Sequence, residues 1–331
     1  MTEIVASVKV GTRGSRLALG QTGQIADVLT GVGGFEAEIV TVRTDGDVLT
    51  GPLSQMGGTG VFAAALRAAV LDGGVDVAVH SLKDLPTAAV PGLTLAAVPA
   101  RVDPRDALCS RDSLSLAELP AGASVGTGSP RRAAQLLAAR PDLMIVDIRG
   151  NVDTRLGRVA GLPGNAPAAV VPGKTGDLDA VVLAAAGLSR IGRLDTVTEY
   201  LEADVMLPAP GQGALALECR TADAEPSGVL GRALAAVDDA DTRLAVTAER
   251  ALLARLEAGC AAPVGAFAFR KGSMLYLEAV VCSLDGARSL RLKKATDGLT
   301  SVGATLLGIE LAEELLAGGA ADLADLSGSA K

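Results

Sequence analysis

The sequence predicts an α/β protein built from more than one domain, and three observations carry that prediction. Apolar, β-branched runs stop in polar loops and are followed by capped or alanine-rich helices, the signature of strands alternating with helices. This alternation restarts near residue 120, after a crossover at 99–106 (PARVDPRD) that carries two prolines and four charges. From about 240 the character changes to a long charged helix followed by a β-rich stretch.

The elements follow in order. Residues 8–12 read as a first strand, and Ser15 is placed to cap a helix over about 16–30. Residues 36–43 alternate as a strand, and a polar, glycine-dense loop runs from Thr44 to Thr59. Residues 61–72 form an alanine-rich helix that ends at Gly73-Gly74. The stretch 75–86, VDVAVHSLKDLP, starts as a buried strand and breaks at His80 into a loop with the chain's one histidine, Lys83, Asp84 and a stiffening Pro86. Another strand covers 93–98.

In the second half of the pattern, Ser124-Val125 leads into GTGSPRR at 126–132, where Ser129 is a predicted N-cap and Pro130 takes the first helical position. That helix runs to about Ala139. A strand at 143–148 ends in Arg149-Gly150-Asn151, and a helix over about 152–160 follows. Residues 161–177 form an exposed insertion dense in Gly and Pro, and 179–186 return to a buried strand. LPAPGQG at 207–213 is a rigid turn before a strand at 214–219. A helix spans 241–257, a β-rich stretch 263–294 and a last helix about 298–317.

Composition sets limits on function. Of 331 residues, 49% are hydrophobic and 2% aromatic, so Ala, Val, Leu and Gly must build the core. A net charge of −8 argues against a general nucleic-acid binder. There is no signal-peptide pattern and no apolar run long enough to span a bilayer, which predicts a cytoplasmic protein without a membrane partner. Cys109, Cys219, Cys260 and Cys282 lack CxxC spacing and nearby histidines, so neither a disulfide framework nor a metal site is expected.

Against the acidic whole, residues 131–158 hold six arginines and three acids. Arg131, Arg132, Arg149 and Arg155 sit at turns, where guanidinium groups suit carboxylates or phosphates, whereas Arg140 and Arg158 read as solvated helix-face charge. GTRGSRLA at 11–18 echoes GTGSPRRA at 126–133, so two lobes facing each other would aim two helix N-termini at one anionic ligand. Cys109, Cys219 and Cys282 lie in apolar runs and read as small buried hydrophobes. Cys260 lies on an open Gly/Ala/Pro loop, as either a buried thiol or an attachment point.

Six motifs in register give these pieces a common source: GTRGSRLAL at 11–19, HSLKDLP at 80–86, GTGSPRR at 126–132, IRGNVDTRL at 148–156, LPAPGQGALALECR at 207–220 and LEAGCAAPVGA at 256–266. Together they resemble the porphobilinogen deaminase (hydroxymethylbilane synthase) family over nearly the whole chain. The resemblance implies three domains: 1–100 with 214–235, 104–206, and 240–331. The first two would resemble lobes of type II periplasmic binding proteins around a cleft, and the third would be a small α+β domain. It implies a monomeric transferase of tetrapyrrole biosynthesis that joins four porphobilinogen molecules head to tail, loses ammonia each time and hydrolyses off hydroxymethylbilane. A dipyrromethane cofactor would be tethered by a thioether to Cys260.

Asp84 would be the catalytic acid/base, stabilising positive charge on the reacting pyrroles. Lys83, Ser129, Arg131, Arg132 and Arg149 would bind the cofactor. Arg13, Ser15, Arg149, Arg155, Phe62 and Gln212 would bind substrate, with Phe62 against a ring and Gln212 at the turn between lobes. Gln55 and Thr59 stand where the family often has lysines, and the 161–177 insertion is longer than usual. A two-lobed anion-binding protein would explain the arginines but leaves Cys260 and the third domain without a role. A cysteine hydrolase would have to recruit His80, with no third orienting residue.

Overall fold

The computed structural model describes residues 7–43, 61–162, 176–259 and 262–326. Cys260, Gln55, Thr59 and most of the 161–177 insertion lie outside them, as does the Phe62 side chain.

The first sheet is made by β1 (Ser7–Thr12), β2 (Glu36–Thr41), β3 (Val77–Ser81) and β4 (Leu93–Ala97), with α1 (Arg16–Gly33) and α2 (Val61–Leu71) between them. The second is made by β5 (Asp106–Ser110), β6 (Ser124–Gly126), β7 (Met144–Val146), β8 (Ala180–Ala184) and β9 (Glu199–Leu201), with α3 (Pro130–Ala139), α4 (Val152–Leu156) and α5 (Ala185–Arg190). The chain then returns: β10 (Leu215–Arg220) joins the first sheet, giving the order β2-β1-β3-β10-β4, beside the second sheet's β7-β6-β8-β5-β9. In both, the neighbours β1, β2 and β3, or β6, β7 and β8, run parallel, and the strand that has crossed from the other lobe inserts antiparallel. Two chain segments therefore join the lobes, and Val102 N–H bonds to Gly213 O where they meet. Gly213 has φ +88°, and a Cβ there would stand 2.6 Å from the Val102 carbonyl, so the crossing admits only glycine.

After α6 (Val229–Val237), the long α7 (Ala240–Arg255) leads to a separate antiparallel sheet, β11 (Val264–Lys271), β12 (Met274–Cys282) and β13 (Ser289–Thr296), covered by α7 and α8 (Ser301–Ala317). Its core is Ala, Val and Leu throughout, with α7 and α8 packed closely through Gly308, whose Cβ would fall 2.3 Å from the Ala248 carbonyl.

The structure departs from the sequence reading at several points. His80 belongs to β3 and pairs with Ala216 of β10, a partner far away in sequence, so the strand outlasts its apolar run. The helix expected over 152–160 ends at Leu156. Gly157 closes it, and Val159 turns off to bridge Leu178. Ser129 occupies the N-cap position of α3 but its hydroxyl makes no capping bond, whereas Ser15 caps α1 by accepting from Ala18 N–H at 3.2 Å. Arg140 and Arg158 are not freely solvated: Arg140 pairs with Asp142 and donates to the Leu116 and Leu119 carbonyls, and Arg158 pairs with Asp177. Cys109, Cys219 and Cys282 are buried as the sequence predicts, with thiols pushed up to about 11 by desolvation.

Candidate active site

Asp84 closes a single 3-10 turn, Leu82–Asp84, at the carboxyl end of β3. The apolar pattern fixes the turn from below: Leu82 and Leu85 are buried, and Leu82 N–H bonds to Ala214 O. From the third domain, Arg250 donates to the Leu85 and Pro86 carbonyls at 2.8 Å each. Asp84 is left exposed on a backbone held at both ends. Behind it, His80 takes a structural place, its Nε2 3.4 Å from Glu218, which also binds Arg67 through both carboxylate oxygens.

The second lobe presents its helix starts nearby. Gly128 lies so close to β7's exit that a Cβ would stand 2.5 Å from the Ile148 carbonyl, and Thr127 Oγ1 accepts from Ser129 N–H. This packing brings Arg149 beside the α3 turn. Arg149 stands 3.5 Å from Asp147, and its buried Nη1 has no hydrogen-bond partner. Asn151 caps α4, and Arg155 is held by donating Nε to Gly150 O at 2.8 Å. Desolvation lowers the Arg155 guanidinium to about 10, helped by the charges of Arg132 and Arg149 and opposed by Asp147 and Asp84. Arg155 thus links the second-lobe arginines electrostatically to the carboxylate of the first lobe.

Arg131 and Arg132 are buried, and both are committed to Asp106, the first residue of β5. Arg132 donates Nε and Nη2 to Asp106 Oδ1 at 2.9 and 2.7 Å, and Arg131 Nη2 stands 2.8 Å from Oδ2. Arg131 also donates to Leu207 O and Arg132 to Val182 O. Burial pushes the Asp106 carboxyl up, but the two guanidinium groups outweigh it and hold the acid well below the usual carboxylate range. The trio keeps one net positive charge.

Gln212 joins this trio to the Asp84 turn. Its Nε2 donates to Asp106 Oδ1 and Pro104 O, both at 2.8 Å, and its Oε1 accepts from Lys83 Nζ at 3.2 Å. Desolvation, with Arg132 next, lowers the Lys83 ammonium to about 8. The backbone of Gln212 is fixed by Arg101, which donates to its carbonyl and pairs with the fully buried Glu249 of α7. Glu249 in turn accepts from Gly211 N–H and Ala268 N–H, so one carboxylate ties the hinge to the third domain.

The structure thus brings Lys83, Asp84, Arg131, Arg132, Arg149, Arg155 and Gln212 into one electrostatic field. Arg13 and Ser15 lie at the β1–α1 turn of the first lobe, Ser129 at the start of α3, and Phe62 in the first turn of α2. Asp106, Arg101 and Glu249 were not foreseen. Their one signal is that acidic and basic residues stand in otherwise rigid or apolar segments, and that signal does not pair them. Among the described residues, no cluster of three or more His, Cys, Asp or Glu is placed to hold a metal ion, and no helix is long and apolar enough to cross a membrane.

Residues 8–227 match the family model described as porphobilinogen deaminase, dipyromethane cofactor binding domain, and residues 243–317 match porphobilinogen deaminase, C-terminal domain. The chain belongs to the porphobilinogen deaminase family. A porphobilinogen deaminase of Cutibacterium acnes is 55% identical over 98% of this chain and 99% of its own. Those of Leifsonia xyli and Mycobacterium tuberculosis are 56% and 51% identical, over 97% and 96% of this chain and 95% and 98% of theirs. A periplasmic substrate-binding protein from Coxiella burnetii superposes with a TM-score of 0.42 at 16% identity, covering 70% of this chain and 91% of its own.

The residues present fit the dipyrromethane cofactor of the porphobilinogen deaminase family. A group bearing several carboxylates needs unspent donors at a cationic wall, and the buried, unpartnered Arg149 Nη1 provides one beside Arg155. Both segments flanking Cys260 are anchored: Gly259 N–H bonds to Leu326 O, and Ala262 N–H to Gly259 O.

Proposed function

We propose that this chain is a porphobilinogen deaminase that joins four porphobilinogen molecules head to tail, releases ammonia at each addition and frees hydroxymethylbilane by hydrolysis. The observation that carries this reading is the placement of one exposed carboxylate, Asp84, on a fixed turn within the field of Arg155 and Lys83. A dipyrromethane group bound through Cys260 supplies a primer with a free pyrrole position on which polymerisation begins.

The chain's own residues do the rest. Asp84 stabilises positive charge developing on a neighbouring pyrrole and holds or moves the proton at its N–H. Arg149, Arg155, Lys83 and Arg13 neutralise the carboxylates of the pyrroles, and Ser129 and Ser15 offer hydroxyls at two helix starts. The Ser129 hydroxyl is not spent on a cap, which leaves it available to a ligand. Arg131 and Arg132 reach the ligand as a charge already balanced in part by Asp106. Gln212 serves the turn between the lobes.

The reading assigns 1–100 with 214–235 to the catalytic lobe, 104–206 to the arginine-rich lobe and 240–331 to the attachment domain. Strand β10 inside the first sheet supports the first assignment. It also takes the protein as a cytoplasmic monomer without nucleic-acid or membrane partners, in keeping with the net charge of −8. The test is turnover of porphobilinogen by the purified protein. One ammonia released per porphobilinogen consumed, with a linear tetrapyrrole as product, supports the assignment. Binding of porphobilinogen without ammonia release contradicts it.

A further inference from the structure

Asp106 is fully buried where the chain enters the second lobe, yet its effects reach both walls of the site. One carboxylate oxygen takes hydrogen bonds from Arg132 and Gln212, and the other faces Arg131. The Gln212 amide has its Nε2 occupied by Asp106 and by the Pro104 carbonyl. With the amide nitrogen committed there, the oxygen is the atom turned toward Lys83, and an ammonium requires an acceptor. Asp106 therefore decides which end of Gln212 meets the residue next to Asp84.

We propose that Asp106 is a positioning residue of the deaminase reaction: it orients Gln212 to hold Lys83 beside Asp84, and it clamps the Arg131–Arg132 pair of the second lobe. This rests on the function proposed above. A hydrophobic replacement of comparable volume often serves a buried ion pair as well, so pairing alone does not account for a carboxylate here. A chain of hydrogen bonds running from one lobe through the hinge to the other sets relative geometry instead. The charged groups around Lys83 are Arg132 and Arg131, which disfavour its protonated form, and Asp84 and Asp106, which favour it. Loss of the Asp106 charge tips that balance toward the neutral amine.

The experiment is competitive acetylation of the lysines in the full-length purified protein across a pH series, with Lys83 followed by peptide mass spectrometry. In the wild type Lys83 is expected to half-titrate near pH 8. In Asp106→Asn the midpoint falls by roughly half to one unit, which raises Lys83 labelling at pH 7 by about 3- to 6-fold, and the alkaline limb of kcat/KM moves down with it. Gln212→Met leaves the Asp106 pairs with arginine in place and removes the amide that joins Asp106 and Pro104 to Lys83, so its Lys83 midpoint falls too; this variant decides the matter if Asp106→Asn does not fold. An unchanged or raised Lys83 midpoint in either folded variant overturns the proposal. Labelling is read without turnover, so a failure of the assigned activity shows separately in the wild type.

Discussion

Lys83 Nζ donates to Gln212 Oε1 at 3.2 Å, joining the residue beside Asp84 to the hinge between the lobes. The half-buried ammonium lies near two guanidinium groups, and desolvation with the charge of Arg132 lowers it to about 8. An anion-binding lysine with that value works below pH 8 and fades above it. We expect kcat/KM for porphobilinogen to fall as pH rises through about 8, and Lys83→Met to lack that limb. Stability moves the other way. Between about 8 and the ordinary 10.5 the unfolded chain binds the proton that the folded chain has lost, so the Lys83 contribution to stability rises with pH across that window. Thermal denaturation of wild type against Lys83→Met between pH 7 and pH 10 measures the difference.

Asp84 is exposed, and its turn is held by Leu82, Leu85 and Arg250 rather than by its own carboxylate. Asp84→Asn is therefore expected to keep its melting temperature and to lose roughly 10²–10⁴-fold in kcat, the scale of a positioned acid/base. Steady-state kinetics with a parallel melting curve tests this; near-normal kcat moves the chemistry to another group.

Arg16, at the start of α1, reaches across to Asp153 of α4 at 3.1 Å, and Asp153 also takes Arg193 at 3.1 Å. Arg16 is the exposed partner, with 69% of its side chain open to solvent. Its coupling to Asp153 should then be worth about 0.2–1 kcal/mol and should decline with added salt. A double-mutant cycle of Arg16→Ala and Asp153→Asn, run in low and high salt, gives the value. Asp153→Asn alone should cost more than Arg16→Ala, because it also strips Arg193 of a partner.

Cys109, Cys219 and Cys282 are buried, with thiols near 11, so a thiol reagent at neutral pH should leave them unmodified in the folded protein. In denaturant the three react. A thioether at Cys260 makes the total three rather than the four cysteines of the sequence, and a thiol titration in guanidinium reads the number directly.

Much of this was legible in the chain. The alternating runs located most strands and helices but not α5, β9 or α6, the glycine- and proline-bearing turns located helix starts, and the family resemblance singled out Asp84 in the loop after β3. What stayed hidden depends on partners distant in sequence. His80 looked like a loop residue because its strand partner Ala216 lies in a later segment. Arg131 and Arg132 looked like open anion binders because nothing local reveals that Asp106 of a crossing strand is buried between them. Ser129 takes the N-cap position that the Ser-Pro start suggests, but its hydroxyl makes no bond to the helix.

Whether the deaminase is primed by a pyrrole pair tethered at Cys260 is read by intact-mass spectrometry of the purified protein. The expected mass exceeds that of the sequence by the weight of two linked pyrrole units, carried on the peptide with Cys260 and absent from Cys260→Ala. A wild type that matches its sequence mass and still turns over porphobilinogen would contradict the tethered primer.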